Sequence, residues 1–216
     1  QEQVDALRGE MGLDKPLAAQ YLDYIGNALH GDLGFSLVSQ RPVTTDLAQT
    51  VPATVELVLV SVIFMFAVAI PLGVISAYRQ YSWFDQIGTF VSMVGYSVQT
   101  FFTGVLLIVI FSSYLQWFPS IYDTNLVVND WSSFVQQVKQ MFLPVMVLTL
   151  YNTSQISRFV RASMLDNLHQ DYVRTARAKG VKEKVVLLVH VLRNSLIPVV
   201  TVIALGVPTI FSGAII

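Results

Sequence analysis

Few residues in this 216-residue chain have the types and spacings that do covalent chemistry. Cysteine is absent, which removes disulfides and thiolate metal sites. His30, His169 and His190 lie far apart, with no pair at helical ligand spacing, so no metal site is expected and each reads as a polar surface or interface residue. No Gly-x-x-x-x-Gly-Lys-Ser/Thr phosphate loop occurs, so the chain is not expected to hydrolyse ATP. Neither His-Glu-x-x-His nor Gly-x-Ser-x-Gly occurs, which leaves a membrane protease or acyl hydrolase without metal site or nucleophile. Glu56 stands only at the edge of an apolar run, whereas a proton-coupled carrier usually needs a carboxylate within one. What remains is a basic stretch, Asp171 to Lys184. Arg158, Arg161, Arg174, Arg177, Lys179, Lys182, Lys184 and Arg193 are eight of the chain's thirteen Lys and Arg.

That stretch reads as two short helices about a glycine. Leu165, Leu168, Tyr172, Ala176 and Lys179 recur at three- and four-residue steps, which predicts one helical face ending on the lysine's aliphatic stem. His169, Gln170, Asp171, Arg174 and Arg177 take the other side. Gly180 follows the last turn, where a residue of positive φ commonly ends a helix. Val185, Leu188, Leu192 and Leu196 begin a second apolar stripe that ends before Pro198. The stretch serves either as a prong that docks on a partner or as a solvated loop that only orients its neighbours.

The neighbours are apolar. The chain is 54% hydrophobic and 12% charged, against about 25% charged in soluble domains. Charge-free runs extend over Leu57–Tyr78, Gln86–Tyr122, Gln140–Ser157 and Asn194–Ile216, the first long enough for about 30 Å of hydrocarbon. Pro71 and Gly73 interrupt it, as membrane helices tolerate. The second is too long for one span, so its end from about Trp117 is expected at the interface. These runs predict an all-α, polytopic membrane bundle. Its spans fall at about 54–78, 87–115, 141–163 and 195–216, with a loop at about 164–194. Residues 1–53 form a separate extension outside the membrane, with seven acids and three bases, lacking the basic start and apolar core of a signal peptide. Within it Asp14 is placed to cap a helix with Pro16 in the first turn. Leu17, Tyr21, Tyr24, Ile25 and Ala28 form its apolar side, and His30-Gly31-Asp32-Leu33-Gly34 ends it.

The basic cluster puts the 164–194 loop in the cytoplasm, and alternation puts Arg79–Asp85 there too. Residues 1–53 and 122–139 fall outside. Polar side chains within spans either glue helices together or line a water-filled path. Tyr96, Gln99, Asn152 and Gln155 are the path candidates. An exported amino-terminal region with nothing to carry it across, and a last span without a polar flank, lead us to expect that the chain is incomplete.

Gln170–Gly180 and Leu192–Thr201 together resemble the cytoplasmic coupling loop of ABC importer permeases, closest to the dipeptide/oligopeptide branch. The general motif has Glu-Ala-Ala, three residues and glycine; here Arg174, Thr175 and Ala176 precede Gly180, and only Ala176 and Gly180 match. Arg-Thr-Ala-Arg-Ala-Lys-Gly is the form of the peptide branch. Gly12–Pro16, His30–Gly34, Pro71–Val74 and Arg161–Leu165 extend the likeness over nearly the whole chain. The resemblance implies an ATP-driven importer of short peptides in a bacterial inner membrane. It implies a second permease, two ATPase subunits and an extracytoplasmic solute-binding protein as partners. ATP and Mg would sit on the ATPases, with no cofactor on this chain. Asp171, Tyr172, Arg174, Thr175, Ala176, Arg177, Ala178, Lys179 and Gly180 are the implied ATPase-coupling residues. The resemblance implies six spans, with one expected before residue 1 and one after residue 216, and proline where Gln99 stands. Nickel complexes or oligosaccharides are alternative cargoes, and a structural anchor subunit without a path is the alternative of a different class.

Overall fold

The computed structural model describes residues 15–124 and 126–214, with side chains described up to residue 205. Among these residues no strand forms beyond an isolated bridge between Phe35 and Pro42, as expected of an all-α chain. The chain divides into two units, residues 1–53 and 54–216.

In the first unit, helix α1 (Leu17–Leu29) starts from Pro16, whose carbonyl accepts from the Ala19 and Gln20 amides. Pro16 is thus the N-cap and not a residue of the first turn; Asp14 lies outside the described residues. The helix closes through paired amides, Gly31 N–H to Ala28 O and Asp32 N–H to Asn27 O. None of residues 15–53 is buried, and the expected apolar side of α1 is exposed at Leu17, Tyr21, Tyr24 and Ile25.

Helix α2 (Val43–Tyr78) begins in the first unit and continues into the second, which also holds α3 (Trp83–Ser97), α4 (Thr100–Leu107) with a π-helical continuation Ile108–Tyr114, and α5 (Trp131–Leu168). They are followed by α6 (Asp171–Ala178), the single turn α7 (Glu183–Val185), a π-helical segment Val186–Val191, and α8 (Leu192–Ala214). By length and apolarity, α2 and the stretch Glu183–Leu205 qualify to cross a membrane among the described residues, and α3 with α4 adds a third if the pair is one span. The middle of α5, where a span at 141–163 is expected, does not qualify; Asn152, Thr153, Ser154, Gln155 and Ser157 dilute it.

The run expected as one span at 87–115 is broken. Helices α3 and α4 meet at 96°. Val98 and Gln99 are extended, the Ser97 hydroxyl donates back to Met93 O, and Gln99 serves as N-cap of α4, with its carbonyl accepting from the Thr103 amide. A bend therefore exists at Gln99, where the resemblance implies proline, and it is made by local backbone and hydroxyl bonding.

Small residues bring the backbones together. A Cβ on Gly73 of α2 would lie 2.6 Å from Val160 and 2.9 Å from Ser157 O of α5. A Cβ on Gly95 of α3 would collide with the Ser154 hydroxyl. Close approach through glycine, alanine and serine is how helices pack where lipid removes the hydrophobic drive between them. The core collects Met65, Ala69 and Ala77 of α2 with Ile156, Val160 and Met164 of α5. It then adds Val173 and Ala176 of α6, Val186, Val191 and Val199.

Candidate functional site

The basic helix α6 is a separate element and not a continuation of α5. Helix α5 ends at Leu168, and α6 begins after His169 and Gln170, whose carbonyl accepts from the Val173 and Arg174 amides. This break resets the helical phase. Of the face expected along Leu165, Leu168, Tyr172, Ala176 and Lys179, the residues Leu165, Leu168 and Ala176 pack on the core, and Tyr172 and Lys179 are corrected. Val173 (0% exposed) and Ala176 (8%) point inward, while Tyr172 and Lys179 are exposed. The Tyr172 hydroxyl instead donates to Asn167 Oδ1 at 2.9 Å, and the Thr175 hydroxyl to Asp171 O.

At the other end Gly180 has φ +72°. Its amide donates to Arg177 O at 3.0 Å and the next amide, Val181, to Ala176 O at 3.2 Å. This is the paired closure of a helix by a left-handed residue, and Val181 packs over the same core as Ala176. A Cβ at Gly180 would meet nothing within 4 Å, so φ alone demands the glycine. Arg177 turns back to Glu183 with two hydrogen bonds, at 3.1 and 2.7 Å, which hold its guanidinium charged above the usual arginine range. Asp171, Arg174, Thr175, Arg177, Ala178, Lys179 and Gly180 lie open, and besides the Arg177–Glu183 pair the charged side chains among them make a long 3.7 Å contact between Arg174 and Asp171. Ala176 is therefore part of the anchor beneath the helix and not of its outer surface.

The second stripe is corrected for a related reason. Val185 and Leu188 are exposed, and Val186, Leu187, Val191, Ser195 and Val199 are buried. The π-helical turn at Val186–Val191 inserts a residue and rotates the face. Ser195 then donates to Ser163 O and Val191 O, joining α8 to α5 with a small polar residue inside and large apolar ones outside.

The path candidates do not share one cavity. Gln99 lines a cavity of about 450 Å³ with Leu57, Phe101, Tyr122, Pro144 and Leu148. Gln140, also on its wall, exchanges hydrogen bonds with the Asp123 backbone and donates to Gln137; Gln137 in turn donates to Tyr122 and Glu56. Tyr96 lies elsewhere, stacked on Tyr151 at 5.8 Å, with the Arg158 guanidinium 4.9 Å from its ring centre. Asn152 donates to Leu148 O within its own helix, and Gln155 is half-buried.

Three features escape the sequence reading. Val173 anchors α6, a role signalled only by the spacing Val173–Ala176–Gly180. Asp85 at the start of α3 is 3% exposed and accepts two hydrogen bonds from Arg161 of α5, at 2.6 and 2.7 Å. Arg158 and Tyr151 join Tyr96, although their helical spacing in α5 is visible in the sequence.

Among the described residues no group of three or more His, Asp and Glu is placed to hold a metal ion; the arrangement is a helical membrane scaffold carrying a basic helix on its surface. Residues 69–216 match the family described as binding-protein-dependent transport system inner membrane component, and the chain belongs to that family, one of transport components and not of enzymes. Among curated relatives, it is 41% identical to the di/tripeptide transport system permease protein DppB of Pseudomonas aeruginosa (strain UCBPP-PA14), covering 95% of this chain and 66% of the relative. It is 40% identical to the oligopeptide transport system permease protein AppB of Bacillus subtilis (strain 168), over 95% and 65%. It is 39% identical to the dipeptide transport system permease protein DppB of Escherichia coli (strain K12), over 97% and 67%. The chain thus spans about two thirds of the length of these relatives.

Proposed function

We propose that this chain is a permease subunit of an ATP-driven importer of short peptides in a bacterial inner membrane. It pairs with a second, similar permease, receives substrate from an extracytoplasmic binding protein, and rests on two ATPase subunits that hold ATP and Mg. The peptide cargo rests on the names of three relatives, all peptide permeases. In this reading the segment 164–194 is cytoplasmic, α6 is the coupling helix, and Tyr96 of α3, Gln99 at the start of α4, and Asn152 and Gln155 of α5 border the path.

One observation carries the mechanism. The buried side of α6, Val173 and Ala176, belongs to the same core as α2, α5 and α8, while its other side is open. A force applied to the open side by an ATPase groove is delivered to the bundle and not absorbed by a loose loop, because close-packed cores transmit strain. Nucleotide binding then biases a two-state equilibrium between outward and inward access.

The test is reconstitution with the permease and ATPase partners. Arg174→Glu alters only the open side of α6 and is expected to weaken ATPase co-purification and remove substrate-stimulated hydrolysis, with membrane insertion intact. Ala176→Glu is expected to act differently, by placing a carboxylate in the core and lowering the chain's own stability. Full assembly and full stimulation with Arg174→Glu would refute the docking role.

A further inference from the structure

Helix α5 carries a row of half-buried side chains at alternating steps of four and three: Pro144, Leu148, Tyr151, Gln155 and Arg158. Such spacing places them along one helical face. Pro144 and Leu148 line the 450 Å³ cavity. Tyr151 stacks on Tyr96, and Arg158 covers the same ring. The row therefore leads from a cavity to a cation.

Arg158 is held differently from its neighbour. Arg161 has both oxygens of Asp85. Among the described residues Arg158 has no carboxylate within ion-pair distance, and its Nε is buried without an acceptor. It is drawn toward Tyr96, level with Tyr151 two turns back along α5, and so away from the basic segment that follows the helix. A guanidinium stays protonated and offers five donors in a planar fork, the shape that matches a carboxylate. A ring face compensates its charge only partly, and a buried polar donor without acceptor is costly.

We infer that Arg158 is a carboxylate-binding site on the translocation path, with Tyr96 and Tyr151 as its apolar wall, and that it receives the terminal carboxylate of a peptide. This rests on the permease reading above. The chemistry selects a free carboxylate over the corresponding amide, because only the former is an anion. A carboxylate from a second membrane subunit is the competing occupant.

The test uses the assembled transporter in lipid nanodiscs without binding protein, so that delivery plays no part. Residues 1–216 hold no cysteine, so Gln155→Cys, one turn from Arg158, gives a single thiol once any cysteine elsewhere in the assembled transporter is replaced by serine. Its labelling by a membrane-impermeant maleimide is followed with trialanine or trialanine amide as protectant. With Arg158 present, half-protection is expected at about tenfold lower concentration for the acid than for the amide, the size of one charge-assisted hydrogen bond. With Arg158→Gln the two are expected to coincide at the amide's value. If Arg158→Gln does not assemble, Arg158→Lys keeps the charge without the fork; it should raise the acid's half-protecting concentration several-fold and leave the amide's unchanged. Equal protection by acid and amide with Arg158 present, no protection by either, or an unchanged ratio in the variant that assembles would overturn the site. A Gln155→Cys thiol that never labels would refute the path reading itself.

Discussion

Replacing Gly180 gives a sharp test of how the coupling segment is built. Its φ is +72° and a Cβ there would touch nothing within 4 Å, so the cost of a side chain is set by backbone preference and not by volume. For a residue without special tolerance that cost is about 1–2 kcal/mol. An equilibrium between the closed helix end and a frayed one would shift by roughly 5- to 30-fold. Asparagine tolerates the left-handed region better than alanine although it is larger, and valine tolerates it worst. The expected order of substrate-stimulated ATP hydrolysis in the reconstituted complex is therefore Gly180, then Asn, then Ala, then Val. Membrane insertion and chain yield should stay nearly constant across the series. An order that follows side-chain size, with Ala ahead of Asn, would refute the argument, and equal activity throughout would show that the turn does not position α6.

Other perturbations follow from the packing. Gly73→Val should lower the thermal midpoint of the purified complex, by an overpacking cost of about 1–3 kcal/mol, because its Cβ would meet Val160 at 2.6 Å. Asp85→Asn leaves Arg161 largely buried without its carboxylate and should cost about 3–5 kcal/mol in denaturant unfolding; Asp85→Asn with Arg161→Gln should recover part of that loss. Gln99→Cys should react with an impermeant thiol reagent at a rate that changes with nucleotide state, and identical rates in every state would remove Gln99 from the path. Asp130 caps α5 through the Ser133 hydroxyl and amide, which hold its carboxyl below the ordinary range. Its contribution is present above that range and is lost as pH falls through the lowered value. Amide exchange in the first turn of α5, corrected for intrinsic rate, should therefore accelerate at low pH in the parent and be pH-independent in Asp130→Ala.

Much of the architecture was legible because it depends on composition and length: helices only, apolar runs, and a basic segment after the third of them. The left-handed end at Gly180 was legible because that turn has a residue preference. The buried face of α6 was not, since two residues, His169 and Gln170, end one helix and start another, and no periodicity extends through such a break. The face of Val186–Val199 failed similarly, because a π-turn adds a residue without changing composition. The bend at Gln99 has no proline to signal it. The Asp85–Arg161 pair was invisible for a different reason: its partners are remote in sequence, and only the fold says that they meet.

Pro144 gives the 38-residue helix α5 a fulcrum. It has no amide to close the turn below it, so bending is cheapest there. At 1.5 Å per residue the arm toward Trp131 is about 20 Å long and the arm toward Leu168 about 36 Å. Any pivot at this point moves the end beside α6 nearly twice as far as the end at Asp130. In the coupling reading proposed above, a wide, low-force swing beside the basic helix would become a short, high-force displacement at the far end: leverage set by where one proline sits in the chain.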